Sequence, residues 1–111
     1  MRRIIETGIL GHVKRWFLVQ RMGWLPFFTE YVYPAMKDAV LSVFENRERV
    51  GTHGWSGHLS IDDLWPFVGA YAYAVPVGIL DLDATLRRMV SEGILICEVM
   101  DEVVVGYKKA N

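Results

Sequence analysis

Apolar residues recur along this chain first at a helical period and then, near its end, at a period of two. From Arg2 to Met22, Ile5, Ile9, Val13, Trp16 and Phe17 stand three or four residues apart, the spacing of one face of an amphipathic helix. Lys14, Arg15 and Arg21 fall on its other side. Gly8 and Gly11 weaken its intrinsic helicity, so this helix needs a surface to pack on. Gly23 and Pro26 end it, and GWLPFFTEYVY follows as an aromatic connection. Pro34 suits the first turn of a second helix, where its missing N–H would have no intrahelical partner. Met36, Ala39, Val40, Val43 and Phe44 give that helix its apolar face, while Lys37, Asp38, Glu45 and Glu48 point away. GTHGWSG reads as a loop, with a short strand expected near Trp55 to Leu59. Ser60, with Asp63 three residues on, opens a third helix in the manner of a capping box. That helix holds Ile61, Leu64, Trp65 and Val68, and Pro66 makes it short or kinked. AYAYAVPVG either extends it or forms an irregular turn.

Asp81 is a good N-cap for a fourth helix that turns Leu82, Leu86, Met89 and Val90 inward. Gly93 stops it in the left-handed conformation. The period then drops to two: Ile94 to Val99 and Val103 to Tyr107 read as the strands of a hairpin joined across Met100-Asp101. Both strands are apolar on both faces near their middles, whereas a hairpin open to water on one face would alternate more cleanly. Its second face is therefore expected to be covered, by the N-terminal helix or by a second copy of the chain.

Helix, short strand, helix, helix, two-stranded wing is an order shared with known proteins, and DATLRRMVSEGILI (residues 83–96) carries a Thr, an Arg pair, alternating core apolars and an acid-Gly stop before Ile and Leu. In both respects residues 34 to 109 resemble the winged helix-turn-helix superfamily. The resemblance implies an α+β, mainly helical fold: a winged helix-turn-helix with an extra N-terminal amphipathic helix. The expected division is one domain, 1–111, with the N-terminal helix and aromatic connection in 1–33 and the winged core in 34–111. The resemblance also implies duplex DNA as partner and transcriptional regulation as the role; the protein is expected to be cytoplasmic, and the apolar N-terminal helix and two-faced hairpin predict a homo-oligomer, most simply a homodimer. The groove-facing residues of the fourth helix would be Ala84, Thr85, Arg87, Arg88 and Ser91, opposite Leu82, Leu86 and Met89. An arginine fork there can pair with a guanine edge or a phosphate. Alternatively, Arg87 and Arg88 are surface residues paired with Asp83 or Glu92 at helical spacing. Lys14 and Arg15, with Arg21, would add phosphate contacts from the N-terminal helix.

Charge and composition favour a second reading. The formal net charge of −1 hides an asymmetry: residues 1–33 hold five bases and two acids, whereas residues 59–111 hold four bases and eight acids. Wing tips that touch phosphate offer Arg or Lys, and this one offers Glu98, Asp101 and Glu102, which repel phosphate and displace no counterions. Apolar residues make up 52% of the 111, high for so short a chain, so part of the apolar surface is expected at an interface. A winged-helix module that binds protein and not DNA, such as an assembly subunit or a mobile-element protein engaging host machinery, is the alternative.

Other chemistry is sparse. The single cysteine, Cys97, excludes an internal disulfide and reads as a buried thiol. His53 and His58 flank GWSG at a spacing that matches no metal motif, and GWSGH has His where a nucleophile elbow needs Gly. No catalytic residue, metal or cofactor is assigned, and no enzyme is expected. Trp16, Trp24, Trp55 and Trp65 suit core or interface positions better than stacking platforms for single strands. No secretory leader is expected. The longest uncharged stretch, Leu64 to Leu80, contains two prolines and two glycines and falls short of the roughly 20 residues of a membrane-spanning helix.

Overall fold

The helical periodicities become a stack of helices closed on one side by a small sheet. The computed structural model describes residues 9–50 and 58–110. Helix α1 (Ile9–Met22) leads through Gly23 into the short α2 (Trp24–Phe27), a π-helical turn (Phe28–Val32) and the long α3 (Tyr33–Val50). Strand β1 (His58–Leu59) precedes α4 (Ile61–Val68), α5 (Ile79–Ser91) and the hairpin of β2 (Leu95–Met100) and β3 (Val103–Lys109). The sheet is antiparallel in the order β1-β3-β2. The fold is α+β and mainly helical.

The aromatic stretch expected as a connection is helical instead. Gly23 breaks the path with a left-handed backbone, φ +87°, and helix resumes at once. Pro34 has no N–H to give the carbonyl four residues back, and its ring crowds that carbonyl. The ladder widens just ahead of it, where the Tyr33 N–H donates to the Phe28 carbonyl five residues back. Pro34 itself is the second residue of α3, within the first turn as anticipated.

The core lies between α3, α4 and α5. Met36, Val40 and Phe44 meet Leu64, Val68, Leu82, Leu86 and Met89, and Leu59, Leu95 and Tyr107 of the sheet close the end. Ser60 caps α4 as its spacing with Asp63 predicts: the Asp63 N–H donates to Ser60 Oγ (3.2 Å) and the Ser60 N–H to Asp63 Oδ2 (3.0 Å). The Ser60 N–H, and then the Ser60 hydroxyl beside it, hold the Asp63 carboxyl below the usual carboxylate range. AYAYAVPVG resolves as an irregular connection between α4 and α5.

Helix α5 begins earlier than the sequence suggests. Gly78, not Asp81, is its N-cap. Asp81 lies in the first turn and reaches back to accept the Gly78 N–H at 2.7 Å. The exit is as expected: Gly93 takes φ +78°, its N–H donates to the Val90 carbonyl (3.0 Å), and the Ile94 N–H donates to the Met89 carbonyl (2.9 Å). These two bonds form a Schellman motif that satisfies the last carbonyls of α5.

The hairpin turns through Asp101-Glu102, both with positive φ (52° and 65°). A two-residue turn of this kind matches the twist of its strands, but it suits Asn-Gly, because a side chain in the left-handed region is strained. Replacing Asp101-Glu102 by Asn-Gly should raise stability by about 1 kcal/mol in urea denaturation. No change, or a loss, would mean that the turn adopts another conformation in solution. Between Glu98 and Val99 the register shifts, leaving Val105 as the extra residue of a bulge. Just beyond it Gly106 lets β1 approach: a Cβ there would stand 3.2 Å from the Leu59 carbonyl oxygen.

Helix α1 is turned the other way round from the sequence expectation. Gly11, Arg15, Leu18, Val19 and Met22 face the rest of the chain, and Ile9, Val13, Trp16 and Phe17 are exposed, Trp16 by 63%. The hairpin's outer half is also open, since Ile96, Val99, Met100, Val103 and Val104 are all exposed. Helix α1 therefore does not cover the hairpin of its own chain.

Candidate functional site

Helix α5 presents three stripes, each with helical spacing. Leu82, Leu86 and Met89 enter the core. Asp81, Thr85, Arg88 and Glu92 form a second stripe, engaged with the segment that runs from α1 to the start of α3. The third, Leu80, Ala84, Arg87 and Ser91, with Asp83 beside it, faces outward.

The second stripe explains why several expected DNA contacts are unavailable. Arg15 of α1 grips Asp81 through two parallel bonds (2.8 and 2.9 Å) and also donates to the Pro76 carbonyl (2.7 Å). Its guanidinium lies over the Phe27 and Trp24 rings, 5.3 and 5.7 Å from their centroids. Asp81 is 4% exposed, so this is an internal ion pair with fork geometry and not a phosphate contact. Thr85, placed on the groove face by the helical wheel, is wholly buried, and its hydroxyl donates to the Asp81 carbonyl at 2.8 Å. Arg88 donates to Thr29 Oγ1 (2.8 Å), pairs with Glu92 (3.4 Å) and lies 4.4 Å from the centroid of the Tyr33 ring. It joins α5 to the π turn and α3.

Tyr33 and Glu92 complete this clamp: the phenol donates to the Glu92 carboxylate. Burial and that carboxylate push the phenol up, while the phenol bond and Arg88 hold Glu92 below the usual carboxylate range. The folded-state pKa of Glu92 is therefore below its unfolded value. Its contribution is present above the unfolded pKa and is lost as pH falls through the folded one. Arg88→Ala should cost about 1–2 kcal/mol in urea denaturation at neutral pH, and less in acid where Glu92 is protonated. Arg87→Ala should stay within about 0.5 kcal/mol. Equal effects of the two substitutions would contradict the clamp.

On the open stripe Arg87 is the only base. Its side chain is 77% exposed and pairs with Asp83 four residues back at 3.0 Å. Ala84 is half-buried against the core, and Ser91 turns its hydroxyl to the Arg88 carbonyl (2.7 Å). Lys14 and Arg21 are exposed on α1. At the hairpin Asp101 and Glu102 are exposed at the tip, and Glu98 pairs with Lys108 (3.2 Å).

Between the open stripe, the start of α4 and the sheet lies a recess of about 510 Å³. Ile61, Val90, Cys97, Val104 and Tyr107 give it apolar walls, and Asp62, Asp83 and Arg87 bring charge to it. Cys97 is half-buried here, more open than the buried thiol expected. Sequence reasoning missed this recess because it depends on which hairpin face turns toward α5; the two-faced apolar character of the hairpin was its only trace.

Trp16 and Trp24 are substantially exposed and Trp65 is half-buried. His53 and Trp55 lie outside the described residues. Among the described residues no cluster of His, Cys, Asp or Glu is placed to hold a metal ion, and no helix is long and apolar enough to cross a membrane. Compared with protein-family models, with curated proteins and with solved structures, the chain gives no match.

Proposed function

We propose that the chain is a winged-helix module that binds protein and not duplex DNA. The observation that carries this is electrostatic: the single base on the open stripe of α5, Arg87, already pairs with Asp83, and the hairpin beside it ends in Asp101 and Glu102. A DNA-facing surface needs local positive charge, because phosphate contacts with counterion release supply much of the affinity. The order α3, β1, α4, α5, β2, β3, with β3 central in the sheet, supports the winged-helix reading. The apolar recess beside Arg87 and the exposed apolar hairpin suit a protein partner, for which desolvated apolar anchors dominate binding.

Fluorescence polarisation with a labelled random duplex separates the two readings. At about 50 mM salt, binding should be absent up to tens of micromolar protein, a regime in which duplex-binding proteins bind even random sequence. Binding that falls steeply with salt and is lost in Arg87→Ala would overturn the proposal and restore α5 as a DNA reader.

A further inference from the structure

Two apolar surfaces lie open on this molecule, and they carry opposite charge. On α1 the outward ridge is Ile9, Leu10, Val13, Trp16 and Phe17, flanked on one side by Lys14 and Arg21, and no acid lies between Ile9 and Met22. On the hairpin Val99, Met100, Val103 and Val104 are exposed around Asp101 and Glu102, and no base lies between Leu95 and Val105. Helix α1 is anchored through its opposite face by Arg15 and Leu18, so it is held with the ridge outward.

We infer that these surfaces are the two halves of one interface between copies of this chain, with α1 of one copy seated on the hairpin of another. Three observations select this occupant. The ridge's large side chains, each more than half exposed, present on the order of 500–600 Å², and a reciprocal contact in which each copy also lends its hairpin approaches the roughly 800 Å² that one partner contributes to a standard interface. The charges match across the contact, Lys14 and Arg21 against Asp101 and Glu102, whereas α1 against α1 brings base to base. Each surface also lacks a cover among the described residues of its own chain. Made reciprocally, the contact closes a two-fold dimer; made in one direction only, it propagates.

The inference rests on the protein-interaction reading only in taking the hairpin as a protein surface, and the two fail separately. Duplex binding that depends on Arg87 would sink that reading while leaving the association intact. A monomer that ignores DNA would sink the inference and leave the reading standing.

The test is charge reversal with complementation, read by sedimentation velocity at tens of micromolar, with circular dichroism to show that each variant is folded. One variant carries Lys14→Glu and Arg21→Glu. The other carries Asp101→Asn and Glu102→Lys, with Asn chosen because it tolerates the positive φ of the turn. The wild type should self-associate, each variant alone should associate at least tenfold more weakly, and an equimolar mixture should recover a complex. Three results would overturn the inference: a monomeric wild type, a hairpin variant that associates like the wild type, or a mixture that stays monomeric. If a monomeric wild type instead floats with phosphatidylserine vesicles, the ridge belongs to a membrane surface.

Discussion

Asp81→Ala is expected to lower the unfolding free energy by about 3–5 kcal/mol, the cost of leaving the other half of an internal ion pair without its partner. That is a large share of the roughly 5–15 kcal/mol that holds a domain together. Asp81 does two things at once: it receives both arms of Arg15, whose guanidinium also donates to the Pro76 carbonyl, and it satisfies the Gly78 N–H at the start of α5. Removing it leaves the Arg15 guanidinium, whose side chain is 22% exposed, facing a carbonyl and two rings. The double variant Arg15→Met/Asp81→Ala should be less destabilised than the two single losses added, because the second substitution removes the stranded charge. Urea denaturation followed by circular dichroism measures all of these. A loss below about 1 kcal/mol for Asp81→Ala would mean that the pair is solvated and contributes little.

Phe27→Ala is expected to cost about 3–5 kcal/mol, the usual loss for a fully buried aromatic ring. Phe27 is wholly buried, stacks on Tyr31 at 5.8 Å between centroids, meets Trp24 at 6.0 Å and lies under Arg15. It joins α1 to the core, so its removal should also free the α1–α2 segment and speed proteolytic cleavage near Gly23. A variant that melts like the wild type and resists protease would show that this segment is secured elsewhere.

Local chemistry was legible in the sequence wherever it depends on neighbours in the chain. The Ser60–Asp63 cap, the Gly93 stop and the apolar face of α3 all follow from residues within a few positions of one another, whereas the hairpin turns one residue later than the expected Met100-Asp101. The misreadings of α1 and of the groove face of α5 share one cause. The apolar spacing predicts Ile9, Val13, Trp16 and Phe17 as the packing face of α1, yet Arg15 turns that helix over to reach Asp81, 66 residues away. On the neighbouring stripe of α5, Asp81 and Thr85 are buried, and Arg88 is half-buried against Thr29 and Tyr33. A helical wheel with a single core face has no place for a second element packed on a neighbouring stripe. Such a wheel puts Thr85 and Arg88 on the groove face, whereas Thr85 is buried and Arg88 lies against Thr29 and Tyr33.

The central claim, that the outward stripe of α5 is not a DNA-reading surface, is tested most directly by following backbone amide resonances during titration with a short random duplex at low salt. Ala84, Arg87 and Ser91 should keep their positions throughout, with any shifts small, scattered and confined to the exposed bases of α1. Shifts concentrated on Ala84, Arg87 and Ser91 and on the hairpin tip, saturating at a defined stoichiometry and fading as salt is raised, would contradict it.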